Sequence, residues 1–211
     1  MYGIKKALSY LMGRVFLDDL YTPSEKDFNI ENPILLHISD TPSMFFSELS
    51  RIIKKINPEI IVHTGDLVDN IKLQMQPGAI RYYEREVLSL LKILEYSAAK
   101  IIHISLGNHD SHSYIHQKSG RIIVHDSYGE ITAYGKSIVF SHYLHVIESF
   151  NSNYYLYGHD LSTPLQLKKN TCYLNGITSI HLIDLISGGV LKLEYPWGVD
   201  DARLNKRSIG I

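Results

Sequence analysis

A chain of 211 residues that is 45% hydrophobic and 20% charged can bury one sizeable core, which excludes a disordered or collagen-like class. Its 21 Lys and Arg against 22 Asp and Glu leave a formal net charge of -1, so no bulk basic field draws in a polyanion and no nucleic-acid partner is expected beyond a local patch. The single cysteine, Cys172, cannot close an internal disulfide, which fits a reducing, cytoplasmic location.

In chain order, Lys5 and Lys6 precede an apolar run over residues 7–12, far below the roughly 20 residues that a membrane-spanning helix needs. Arg14, Asp18 and Asp19 spoil a signal-peptide reading. Ile4, Leu8, Leu11, Val15 and Phe16 fall near helical spacing, so residues 1–30 read as a helical extension docked on a single domain covering 1–211. Residues 33–39 read as a buried strand, and 43–56 as a helix with Ser43 as N-cap and Asn57-Pro58 as its stop. A strand over 60–64 follows. Gln76-Pro77-Gly78 marks a loop, 79–96 a second amphipathic helix and 101–106 a third strand. Strands then dominate, at 121–125, 130–134, 137–141, 154–157, 165–167, 172–174, 180–186 and 190–195, with Ser187-Gly188-Gly189 as a hairpin turn. The tail after Trp197 reads as loose. Without internal repeats, this order predicts an α/β fold: two packed sheets flanked by helices.

Metal-capable side chains recur where the apolar strands end: Asp40, Asp66, Asn108-His109-Asp110, Ser141-His142 and Gly158-His159-Asp160. In open α/β sheets the crevice beyond the carboxyl ends of the strands is the usual ligand site, because loops there gather distant residues on a rigid frame. A lone histidine after a strand is more often structural than a ligand; the set of five exits points to one pocket.

Three of these blocks, Gly65-Asp66-Leu67-Val68-Asp69, Gly107-Asn108-His109-Asp110 and Gly158-His159, resemble the GDxxD, GNHD and GHxH motifs of calcineurin-like metallophosphoesterases, over about residues 33–160. The resemblance implies that family's αββα sandwich, with Asp66 as a carboxylate able to bridge two cations and Asn108, His142 and His159 completing one site. That donor set suits Mn²⁺, Fe²⁺ or Zn²⁺ better than Ca²⁺. The other site is depleted. Where the family has Asp-x-His, this chain has Asp40-Thr41-Pro42, and where the GHxH block ends in histidine it has Leu161. One tight ion is therefore expected, the second being weak or absent unless Asp160 or His145 contributes.

The implied activity is hydrolysis of a phosphomonoester or phosphodiester, carried by a small molecule or nucleotide, through a metal-activated water. His109 would protonate the departing oxygen, Asp110 would orient His109, and Asp69 would steady Asn108 or its loop. The alternative is a catalytically degenerate member acting as a binding or scaffolding module. His37, His63, His103 and His181 lie inside strands and read as structural. His112 and His116 are candidates for contact with substrate phosphate, and Arg81, Tyr82, Tyr83 and Arg85 for a lid that selects the substrate.

Overall fold

The computed structural model describes residues 28–115, 120–161 and 171–204. The expected N-terminal helix, the strand over 165–167 and His116 lie outside them.

Five buried residues, all apolar but His37, form β1 (Ile34–Ile38). The chain then turns through a short 3-10 segment into α1 (Phe46–Ile56), whose buried Phe46, Leu49, Ile52, Ile53 and Ile56 make one helical stripe. Asn57 closes the helix in the left-handed conformation, donating its N–H to the Ile53 carbonyl, and Pro58 cannot continue it. Ser43 is not the expected N-cap. It lies in the 3-10 turn, where the Asn70 side-chain oxygen accepts its N–H at 2.7 Å. β2 (Ile60–His63), α2 (Ile80–Glu95), β3 (Ile101–Ser105), the one-turn α3 (His112–Ile115) and β4 (Ile122–His125) complete the α/β half.

The strand-rich half holds β5 (Tyr128–Ala133), β6 (Lys136–Ser141), the single turn α4 (Leu144–Ile147), β7 (Tyr154–Tyr157), β8 (Cys172–Asn175), β9 (Ile180–Asp184) and β10 (Val190–Leu193). Tyr134 belongs to a turn rather than to β5. It and Gly135 both take positive φ, 50° and 74°, the backbone that a two-residue hairpin demands. Nor are the described residues after Trp197 loose: α5 (Val199–Arg203) folds back and buries Arg203.

One sheet has the order β10-β9-β1-β2-β3-β4 and the other β5-β6-β7-β8. The parallel strands β1 to β4 carry α1 and α2 on one face, through Leu36, Ile38, Ile61, Ile102 and Ile104. On the opposite face, Leu35, Val62 and Ile183 meet Ile138, Phe140 and Leu156 of the second sheet. The outer face of that sheet packs Val139, Tyr155, Tyr157 and Tyr173 around Ile147 of α4. Helix, sheet, sheet and helix are thus stacked as the motifs led us to expect, and strands buried on both faces explain the nearly unbroken apolar runs.

Candidate metal centre

Because β1, β2 and β3 are parallel, their carboxyl ends share one edge, and β6 and β7 deliver His142 and His159 to the same place from the facing sheet. The backbone bends sharply there. Asp40, Asp66 and His159 take φ of 50°, 52° and 66°, three of the five non-glycine residues at positive φ among the described residues. Such a conformation costs a side-chain-bearing residue about 1–2 kcal/mol, a strain that here aims the side chain into the crevice. The motif glycines are required by close approach. A Cβ on Gly107 would lie 2.2 Å from Asp66 Oδ1, and one on Gly158 2.0 Å from Ser39 Oγ.

His142 Nδ1 sits 2.7 Å from the Thr64 carbonyl, so it carries the ring proton and leaves Nε2 as a lone pair. Asn108 Nδ2 donates to Gln74 Oε1 at 2.9 Å, which turns Asn108 Oδ1 toward His142. The Tyr143 hydroxyl donates to that same oxygen at 3.1 Å. His142 Nε2 then stands 3.2 Å from Asn108 Oδ1, 3.2 Å from His159 Nδ1 and 3.6 Å from Asp66 Oδ2. With Nδ1 donating to Thr64, the Nε2 lone pair, the Asn108 oxygen, the His159 ring nitrogen and the Asp66 carboxylate are gathered as four potential donors to a cation. Around a divalent transition metal with bonds of about 2.1 Å, neighbouring ligand atoms are about 3.0–3.4 Å apart. Asp66, Asn108, His142 and His159 therefore fit such an ion, with Thr64 fixing the His142 tautomer from behind.

The electrostatics agree. Burial, reinforced by the negative charges of Asp110, Asp40 and Asp69, pushes the Asp66 carboxyl well above the usual range, so this carboxylate favours a nearby cation. Burial and the Asp40 charge likewise raise Asp69 to about 7, against the pull of Lys72. Burial first, then the positive potential of Lys72, His142 and His159, lowers His109 to about 4 and keeps its ring neutral at pH 7.

The position beside it lacks the two imidazoles that the family's motifs place there. Pro42 offers no donor atom, and Leu161, 59% exposed, brings only hydrocarbon to the cavity wall. Asp40 Oδ2 is already engaged by the Ser39 hydroxyl at 2.6 Å and the His159 N–H at 3.2 Å. His145 is exposed with its ring against Tyr143, and Asp160 is exposed with its carbonyl accepting from Asn175. Neither is in the cavity lining. That cavity, about 170 Å³, is walled by Asp40, Asp66, Asp69, Lys72, His109 and His159 among others.

Several expected roles change. Asp110 does not hold the His109 ring: its carboxylate accepts the N–H groups of Asp66, Leu67 and Gly107 at 2.8–2.9 Å and the Tyr83 hydroxyl at 2.9 Å. Asp69 contacts the Lys72 ammonium rather than Asn108. His112, half-exposed, pairs with Asp126 at 3.3 Å, and neither it nor the exposed Arg81 lines the cavity. The lid expectation fails with Arg81, since Tyr83 is buried against Asp110 and Arg85 lies over the Tyr82 ring. The strand histidines are structural as expected: His37 stacks on His181 and reaches Thr64 Oγ1 at 3.0 Å, His63 meets Thr41 Oγ1 at 3.0 Å, and His103 pairs with His125 at 3.0 Å.

Three residues were missed. Lys72 is three positions after Asp69 in a loop whose course the sequence does not reveal, Tyr143 directly follows His142, and Arg203 lies in the supposed loose tail. Arg203 donates to the carbonyls of Asp40 at 2.7 Å, Ile177 at 2.7 Å and Ser39 at 3.3 Å, clamping the Asp40 turn from below.

The calcineurin-like phosphoesterase family model matches residues 34–194. This chain belongs to that family. The family is metal-dependent, and the clustered donors Asp66, His142 and His159 are the matching feature of this member. Among solved structures it is similar to an archaeal phosphodiesterase, at 16% identity and a TM-score of 0.53, over 77% of this chain and 99% of that one. It is also similar to Yfce, a phosphoesterase from E. coli, at 14% identity and a TM-score of 0.52, over 76% and 97%. At these identities the likeness is one of fold. Among curated proteins, none matches the sequence at a significant level. No helix among the described residues is long and apolar enough to cross a membrane.

Proposed function

We propose that this chain is a metal-dependent phosphoric ester hydrolase that holds one divalent ion, Mn²⁺, Fe²⁺ or Zn²⁺, on Asp66, Asn108, His142 and His159. The observation that carries the reading is the approach of Asn108 Oδ1, His159 Nδ1 and Asp66 Oδ2 to within 3.2–3.6 Å of His142 Nε2. Such an ion supplies Lewis acidity, lowering the pKa of water and offsetting phosphoryl charge. The protein's own groups do the rest. The Thr64 carbonyl keeps the His142 lone pair inward, and Gln74 with Tyr143 keeps the Asn108 oxygen inward. His109, neutral at rest, faces the cavity; an arriving phosphate raises its proton affinity, and the proton so gained is available to the departing oxygen. Asp110 acts behind it by tying the 65–67 and 107–110 turns together. The small cavity, walled both by charged side chains and by Leu161, Ile177 and Leu204, suits the phosphate and attached group of a small-molecule mono- or diester or of a nucleotide better than a polymer groove.

The test is metal content after exhaustive dialysis, together with turnover of a phosphomonoester, a phosphodiester and a nucleotide, on wild type and His142→Ala. About one tightly held ion, lost in the variant along with turnover, supports the hydrolase. Pro42 and Leu161 favour a second reading, a degenerate member that binds a partner, and a wild type with neither metal nor turnover would select it.

A further inference from the structure

The half of the crevice beside Pro42 and Leu161 still holds three carboxylates. Asp40, Asp66 and Asp69 are each only 2% exposed and line one cavity, an arrangement that needs positive charge from somewhere. The two imidazoles that would help hold a cation there are absent at Pro42 and Leu161. In their place the loop after Asp69 turns back, with the N–H groups of Met75 and Gln76 donating to the Lys72 carbonyl at 2.9 and 2.8 Å, and the Lys72 side chain enters the cavity. Its Nζ contacts Asp69 Oδ1 and its side chain is 20% exposed.

We propose that the Lys72 ammonium stands in for the ion that the Asp40 side of the crevice has lost, pairing with Asp69 and offering its remaining N–H donors to a phosphate oxygen of the substrate. The assignment rests on the hydrolase reading for its substrate class. Its logic is that of a fixed monovalent charge: it cannot activate water as a divalent ion does, but it binds phosphate as a point charge without needing imidazole ligands. Asp66, Asp69 and His109 also bring one ligand atom each within 4.8 Å of one another, so a second metal displacing Lys72 is the competing arrangement.

The two are separated by titrating Mn²⁺ and Zn²⁺, and then inorganic phosphate into the metal-loaded protein, calorimetrically for wild type, Lys72→Met and Lys72→Arg. The expected result is one ion in wild type, phosphate affinity about tenfold or more weaker in Lys72→Met and largely restored in Lys72→Arg, and uptake of a second ion by Lys72→Met as its carboxylates lose their counter-charge. Two ions in wild type, or phosphate binding unchanged in a folded Lys72→Met, would overturn the assignment; the wild-type count needs no variant to fold. One ion and Lys72-dependent phosphate binding without turnover of any ester would keep the assignment and remove the hydrolase reading.

Discussion

Asp110 follows His109 directly, and from sequence the two invite a catalytic pairing. In the structure its carboxylate is spent on backbone: three N–H groups and a tyrosine hydroxyl, drawn from the 65–67 turn, the 107–110 turn and α2. A buried acceptor facing several donors is costly to remove, since each stranded donor costs about 1–3 kcal/mol. Asp110→Asn sets an amide donor against N–H groups and should destabilise the fold by about 2–3 kcal/mol in urea denaturation. If Asp110 only oriented His109, the variant would keep its stability and shift the pH profile of turnover instead. Motif spelling identifies such a residue as important, but which atoms it touches depends on how two distant turns meet.

At the scale of elements, the strands carry histidines as well as hydrocarbon, and these set a pH limit on the fold. Burial lowers His37 and His63 to about 3, whereas the unfolded chain titrates them near 6.5. The folded pKa is therefore depressed. Above pH 6.5 both states are neutral and the full stability is present; as pH falls from 6.5 toward 3, the unfolded chain takes up protons that the folded chain refuses. Stability should drop by up to about 1.4 kcal/mol per pH unit for each of these histidines. Asp66 and Asp69, raised in the fold, act in the opposite direction over part of this range, so the check is the pH slope of the urea midpoint between pH 7.5 and pH 5 in wild type against His37→Gln; a slope the variant does not change would show that the His37 ring takes up its proton as readily in the fold as in the unfolded chain. The strands themselves were legible, because β1, β2 and β3 are buried on both faces and so read as apolar runs interrupted only by a histidine in each and the closing Ser105. Ser43 and Tyr134 misled for a local reason: a good capping residue can sit in a 3-10 turn, and a β-favouring tyrosine can occupy a left-handed turn position when hairpin closure repays the strain.

At the scale of the molecule, the centre is a junction between two sheets, and an ion bound there links them. Because the proposed ligands Asp66 and Asn108 follow strands of one sheet and His142 and His159 follow strands of the other, binding should stabilise the whole fold rather than one loop. An ion at a hundred times its dissociation constant adds about 2.7 kcal/mol, which for a chain of this size is a rise in Tm of about 5–10 °C. Thermal unfolding with and without Mn²⁺ or Zn²⁺ measures it; a chelator should reverse the rise and His142→Ala should abolish it. No rise with any of these ions would count against the site.

By itself the sequence determined the layer order, the strand exits and the residue types at the centre, because burial periodicity and short motifs are local properties of the chain. Tertiary structure alone decided that Asp110 laces backbone, that Arg203 clamps the Asp40 turn from the far end of the chain, and that Lys72 enters the half-site left open by Pro42 and Leu161. Those outcomes depend on contacts between segments far apart in the chain or on the course of a loop. Neither periodicity nor motif spacing carries that information, because both describe neighbours along the backbone and the charge balance of a crevice depends on neighbours in space.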